Sequence, residues 1–172
     1  MENNLLVKSM EKQFKVYFKA LENIVELCPD ELWNKKCSGY IFSHQLVYTF
    51  GTTYLWLRDE RISFFDGIGD GINGLSIDNE LDIDSNDVIN KLHTKQDVLE
   101  ICNGTKTQCE KWFKDKNDNW LYLPIKMDVK ADKKFSNFDV IIAQIEHTMY
   151  HIGHCEAIFR EHNIETGKYL DY

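Results

Sequence analysis

Apolar side chains recur every three or four residues along four long stretches of this chain, the spacing that lays one hydrophobic face along an α-helix. Between residues 5 and 27 they are Leu6, Met10, Phe14, Tyr17, Phe18, Leu21, Ile24 and Val25. Cys28-Pro29-Asp30 ends this helix, since proline cannot continue the hydrogen-bond ladder, and Asp30 can cap a short turn over 31–34. A second helix is predicted over 41–61. It is apolar nearly all the way round, so it is either largely buried or half given over to a subunit interface. The third starts at Thr94, with Asp97 three positions on as its capping partner, and reaches about residue 114. The fourth covers 137–162, with Asn163 and Gly167 as stop signals.

Two long connections interrupt this pattern. The first holds the Gly/Asp-rich run Asp66-Gly67-Ile68-Gly69-Asp70-Gly71-Ile72-Asn73-Gly74 and then an acidic stretch over 79–87. It fails as a calcium loop: starting at Asp66 puts Ile68 at position three and Ile77 at twelve, and starting at Asp82 puts Asp87 where glycine belongs and His93 where glutamate belongs. The glycines also do not follow a strand and open a helix, so they read as turns. The second connection, 117–136, contains Trp120-Leu121-Tyr122-Leu123-Pro124-Ile125-Lys126-Met127, whose alternation predicts a short strand or hairpin that Pro124 confines to an edge. The expected fold is therefore all-α: a four-helix bundle with long crossovers and one short β-hairpin between helices three and four.

At 172 residues the chain is sized for one domain, 1–172, with one substantial core. Its 43% hydrophobic and 28% charged residues, with two prolines, exclude collagenous and wholly disordered readings. A net charge of −8, with Lys111, Lys114 and Lys116 interleaved among acids, argues against a nucleic-acid partner. The five cysteines, Cys28, Cys37, Cys102, Cys109 and Cys155, include no pair two residues apart, which disfavours zinc-ribbon and redox motifs. Cys102 and Cys109 share a helix face and read as small buried hydrophobes. No secretory signal is visible at Met1-Glu2-Asn3-Asn4-Leu5, and no apolar run approaches the roughly 20 residues of a membrane span. The expectation is a cytoplasmic protein without membrane contact.

Chemistry concentrates in the fourth helix, where His147, His151 and His154 account for three of the six histidines. Residues four apart on a helix stand one above the other, about 6 Å apart in rise, so His147 and His151 can aim both rings at one ion. A tight nitrogen-ligated site needs at least a third donor. On a helical wheel Val140, Gln144, His147, His151, His154 and Ile158 form one stripe, beside a ridge of Ile141, Ile145, Ile152, Cys155 and Phe159. In helix two, His44, Tyr48, Gly51 and Leu55 form another stripe. If the stripes face each other, His44 meets His147 and His151, giving three neutral nitrogens and an open fourth position. Against this stands a simpler reading, because a single histidine on an apolar helix is more often a hydrogen-bonded core residue. His93 and His162 read as exposed or capping residues.

Other metal motifs fail on particular residues. A zincin needs Glu directly after its first His, and here Thr148 follows His147. Ferritin-like centres need paired Glu-x-x-His motifs, and a hemerythrin-like centre needs about five histidines with bridging carboxylates. None of these patterns is present.

The early helix-two histidine in Ser43-His44-Gln45-Leu46, the long crossover and the final His147-x-x-x-His151-x-Gly153 resemble the DinB/YfiT-like metal-binding four-helix bundles over most of the chain. The resemblance implies a divalent metal held by His44, His147 and His151, with zinc or nickel foremost and iron or manganese as alternatives. It also implies a metal-dependent thiol S-transferase or hydrolase acting on a small molecule, in which a low-molecular-weight thiol or water is activated. The alternative is a non-enzymatic metal-binding or stress-related bundle. Two positions depart from the family motif His-x-x-x-His-Arg-Gly-Gln: Ile152 replaces Arg, and His154 stands in place of Gln. His154 is thus open to three roles: an outer hydrogen-bond partner, a fourth donor or, with Tyr48, a substrate contact. Arg58 joins them only if it lines the same cavity. A homodimer through helix two is also expected.

Overall fold

α1 (Leu5–Leu27) forms where the three-and-four spacing predicts it, and Val7, Phe14, Phe18, Leu21, Ile24 and Val25 turn inward. Asn4 supplies no side-chain cap. Its place is taken from far along the chain by Asp118, whose Oδ1 accepts the Val7 N–H at 3.1 Å. Pro29 then starts the one-turn helix α2 (Asp30–Trp33). This computed structural model describes residues 4–37, 39–58, 60–61, 92–127 and 135–166. The Gly/Asp-rich connection and its two rejected calcium registers, apart from the last two positions of the second, Leu92 and His93, lie outside the described residues.

An antiparallel hairpin joins β1 (Lys36–Cys37) to β2 (Tyr40–Ile41), with Gly39 at φ +95° in the turn, a conformation that favours glycine. The sequence pattern gave no hint of this pair. α3 (Phe42–Trp56) follows at once and stops five residues short of the predicted end. Its exit is held by Gln108, which donates to the Leu57 carbonyl at 2.7 Å, and the chain then enters β3 (Glu60–Arg61). α3 is covered within its own chain, with Phe42 to Val47 and Thr49 to Thr53 all buried. Burial inside the molecule accounts for its all-round apolar surface.

α4 (Lys95–Phe113) and α5 (Asn137–Glu161) both begin with reciprocal capping boxes, Thr94 with Asp97 and Ser136 with Asp139. Between them the expected strand or hairpin is mostly replaced. Asn117 accepts the backbone N–H groups of Asn119 and Trp120 at 3.0 and 3.3 Å, which winds Asp118–Tyr122 into a 3-10 helix. Among the described residues of this connection β4 (Lys126–Met127) is the strand, and it pairs in parallel with β3, while the chain also folds back on itself, the Ile125 N–H donating to the Phe135 carbonyl at 2.9 Å and the Asn137 N–H to the Leu123 carbonyl at 3.0 Å. Pro124 makes a single antiparallel bridge to Ser136.

The described chain is mostly helical. α1 packs on α4 and α5, and α3 packs on the same two helices. Phe18 stacks on Phe50 across α1 and α3, Phe14 meets Phe113 across α1 and α4, and Phe42 stacks on Phe159 across α3 and α5. Each such fully buried ring contributes about 1.5–3 kcal/mol of hydrophobic stabilisation. All five cysteines are buried and free, so Cys102 and Cys109 are core residues. No helix among the described residues is long and apolar enough to cross a membrane.

Candidate metal centre

α3 and α5 run antiparallel, a direction fixed by two levels of contact. Phe42, at the start of α3, stacks on Phe159 near the end of α5, while Tyr48 lies against His147 and His151 nearer the middle. The Tyr48 ring centroid is 5.3 Å from that of His147 and 5.4 Å from that of His151, at 70° to both. The two predicted stripes therefore do face each other, with tyrosine opposite the histidine pair.

Within the pair, the two Nε2 atoms are 3.2 Å apart and the rings are 71° from parallel. Two nitrogens bound at 2.0–2.1 Å to one tetrahedral ion stand about 3.3–3.4 Å apart, so the observed separation is close to that of two ligands on one metal. It equally suits a neutral hydrogen bond with one ring donating. Ligation of one metal by both rings requires both to be uncharged, and burial favours that. Burial pushes the His151 pKa down to about 4, assisted by the neighbouring His147 and His154, and burial lowers that of His147 as well. The inward Nδ1 atoms of both rings are buried without hydrogen-bond partners.

His44 lies one turn before Tyr48 on α3, 2% exposed, and its ring centroid is 5.3 Å from that of His93 at 75°. One helical turn is about 5.4 Å of rise, which puts His44 beyond the level of the pair, toward the end of α5. Among the described residues no group of three His, Cys, Asp or Glu side chains is placed to hold one ion. The donor set thus fits a metal at two positions, His147 and His151, while His44 is engaged with another histidine.

His93 corrects the sequence reading. It is 5% exposed, and its carbonyl accepts the Trp33 indole N–H at 2.7 Å. The available signal was its place directly before the Thr94 cap, where the preceding residue commonly folds back onto the core. His162 caps the end of α5 and is exposed. His154 turns toward the hairpin, its ring centroid 5.8 Å from that of Tyr40 and 6.3 Å from that of Tyr150. Arg58 lies over the Tyr54 ring and lines a cavity beside Trp112 and Asn137, away from Tyr48.

Polar side chains flank the pair on both helices. Gln45 and Thr52 stand three residues before and four after Tyr48, and Gln144 and Thr148 sit beside the histidines on α5. All four are buried, and each has at least one side-chain polar atom without a hydrogen-bond partner. Such atoms cost about 1–3 kcal/mol each unless something polar meets them. Their signal in the sequence was the presence of amides and hydroxyls on otherwise apolar helices. No family model matches the sequence, and no curated protein matches it.

Proposed function

We propose that this chain is a DinB/YfiT-like four-helix bundle that holds a divalent metal ion between α3 and α5. On this reading it is a metal-dependent transferase or hydrolase acting on a small molecule. The observation that carries the reading is the 3.2 Å approach of the His147 and His151 Nε2 atoms, within about 0.2 Å of the spacing of two ligands on one tetrahedral ion. His44, on the same side of α3 as Tyr48, is the third ligand by resemblance. Three imidazoles suit zinc or nickel first, with iron and manganese as alternatives.

A divalent ion at this position would lower the pKa of a small thiol or water and so supply a nucleophile at neutral pH. The chain does the rest. His147 and His151, kept neutral by burial, present lone pairs and not protons. Tyr48 walls the opposite side, and Gln45, Thr52, Gln144 and Thr148 offer unused hydrogen-bonding atoms to a polar substrate. His154, one turn beyond His151 on α5 and packed on Tyr40, is on this reading a substrate contact.

A non-enzymatic metal-binding or stress-related bundle is the second reading. The engagement of His44 by His93 favours it, because an ion held by two protein donors exchanges readily and suits sensing or storage better than turnover. Elemental analysis of chelator-free protein, beside His147→Ala and His151→Ala variants, tests both. The expected result is one equivalent of divalent metal in the wild type and none in either variant. Absence of stoichiometric metal from the wild type after reconstitution would remove both readings. Metal without turnover of any small thiol and electrophile pair would leave the second.

A further inference from the structure

α3 is covered within its own chain, so a second copy has to find its apolar surface elsewhere. Four exposed apolar side chains gather where the 3-10 helix leads to the start of α5. Trp120 and Leu121 turn inward there and the next two residues turn outward, leaving Tyr122 71% and Leu123 55% exposed, beside Phe138 at 39% and Phe135 at 38%. Hydrogen bonds hold them in one place. The Asn137 N–H donates to the Leu123 carbonyl, the Ile125 N–H to the Phe135 carbonyl, and the Asn137 side-chain amide to the Trp120 carbonyl at 2.9 Å. A patch fixed in this way pays little ordering entropy when it associates.

Its size matches a dimer. Taking roughly 200 Å² for each fully exposed side chain of this kind, about 400 Å² of largely apolar surface is uncovered. Patches of roughly 300–600 Å² are the largest on typical monomers and often functional. One side of a standard interface covers about 800 Å², of which roughly 56–65% is apolar, so the patch with the groove beside it meets the need of one side.

That groove encloses about 720 Å³ against an apolar wall of Trp112, Trp120, Leu123, Pro124 and Ile125. Tyr122, next to Leu123 in the chain, projects beside the groove without lining it. A face that carries a projecting ring and a hollow side by side is self-complementary under a two-fold rotation, since each copy offers its ring to the other's hollow. The titratable groups lining the groove are Arg58, Lys111 and Lys116, so the acidic charge of a chain at −8 is not concentrated there.

We propose that this face is a homodimer interface, in which Tyr122 of each copy enters the groove of the other while Leu123, Phe135 and Phe138 exclude water around it. Asn137 lies ten residues before His147, about 15 Å along α5, so the interface is separate from the candidate metal centre.

Sedimentation velocity and light scattering of the full chain over a wide concentration range test this. The expected mass rises with concentration from 20.3 kDa to twice that value. Tyr122→Lys and Leu123→Lys alter exposed residues, leave far-UV circular dichroism unchanged, and each raise the dissociation constant at least about tenfold. Tyr150→Lys, at an exposed residue farther along α5, and His151→Ala leave it unchanged. Hydrogen exchange slows on association over 120–125 and the first turns of α5, and not in α1. A wild type that stays at 20.3 kDa at every concentration, a dimer indifferent to Tyr122→Lys and Leu123→Lys, loss of the dimer in Tyr150→Lys or His151→Ala, or protection confined to other segments would each overturn the proposal.

Discussion

Phe42 and Phe159 stack with ring centroids 5.4 Å apart and planes only 11° from parallel, and this contact sets the height at which α3 meets α5. Both rings are fully buried. Everything in the candidate metal centre depends on that offset, since it decides which turn of α3 stands opposite His147 and His151. Phe159→Ala is therefore expected to cost about 3–5 kcal/mol in urea unfolding, through lost burial and the cavity left behind. Phe159→Leu costs less, and any metal affinity falls with it because the helix offset loosens.

Metal addition gives a second expected outcome. A ligand that binds only the folded state stabilises it by about 2.7 kcal/mol at a hundred times its Kd. Zinc or nickel added to metal-free protein raises the Tm of the wild type and leaves that of His151→Ala where it was. A rise of the same size in the variant would place the ion elsewhere.

The pH dependence of the metal-free protein follows from the depressed imidazoles. His151 has its pKa pushed down to about 4 by burial, with help from His147 and His154. In the unfolded chain the same ring takes up a proton near pH 6.5. The unfolded state thus binds more protons between those values, and stability falls as pH is lowered from about 6.5 toward 4. Burial raises the Glu156 carboxyl pKa and works in the opposite direction in acid. Urea midpoints measured across this range should slope less steeply for His151→Gln than for the wild type.

Helix capping offers a separate test. Ser136→Ala removes the acceptor for the Asp139 backbone N–H at the start of α5 and should cost about 1 kcal/mol. Hydrogen bonds from the Ser136 side chain and backbone hold the Asp139 carboxyl below its usual pKa. That contribution is present above the ordinary carboxylate range and is lost as pH falls through the lowered value. The gap between the wild type and Ser136→Ala should therefore narrow in strong acid without closing, because the Asp139 backbone N–H still lacks its acceptor in the variant.

The cysteines should be inert in the folded protein. Burial pushes the thiols of Cys28, Cys102 and Cys109 up to about 12 and raises those of Cys37 and Cys155 too. The thiolate is the reactive form, so alkylation by iodoacetamide at pH 8 should be slow until denaturant is added, when all five react. Fast labelling of one cysteine in native protein would expose an error in this picture of the core.

The sequence by itself determined what local physics can determine. Apolar spacing marked α1, α3, α4 and α5, Pro29 marked a break, the Thr94–Asp97 pair marked a start, and the helical wheel put His147, His151 and Gln144 on one face. Tertiary structure decided what depends on contacts between distant segments. Asp118 caps α1, β3 pairs with β4 in parallel, and Asn117 winds a 3-10 turn where alternation had suggested strand. His93, read as peripheral, is folded against His44. Periodicity fixes the face a residue occupies but carries no information on the axial offset between two helices. That offset is set by aromatic packing such as Phe42 on Phe159, and it put Tyr48 directly opposite the histidine pair.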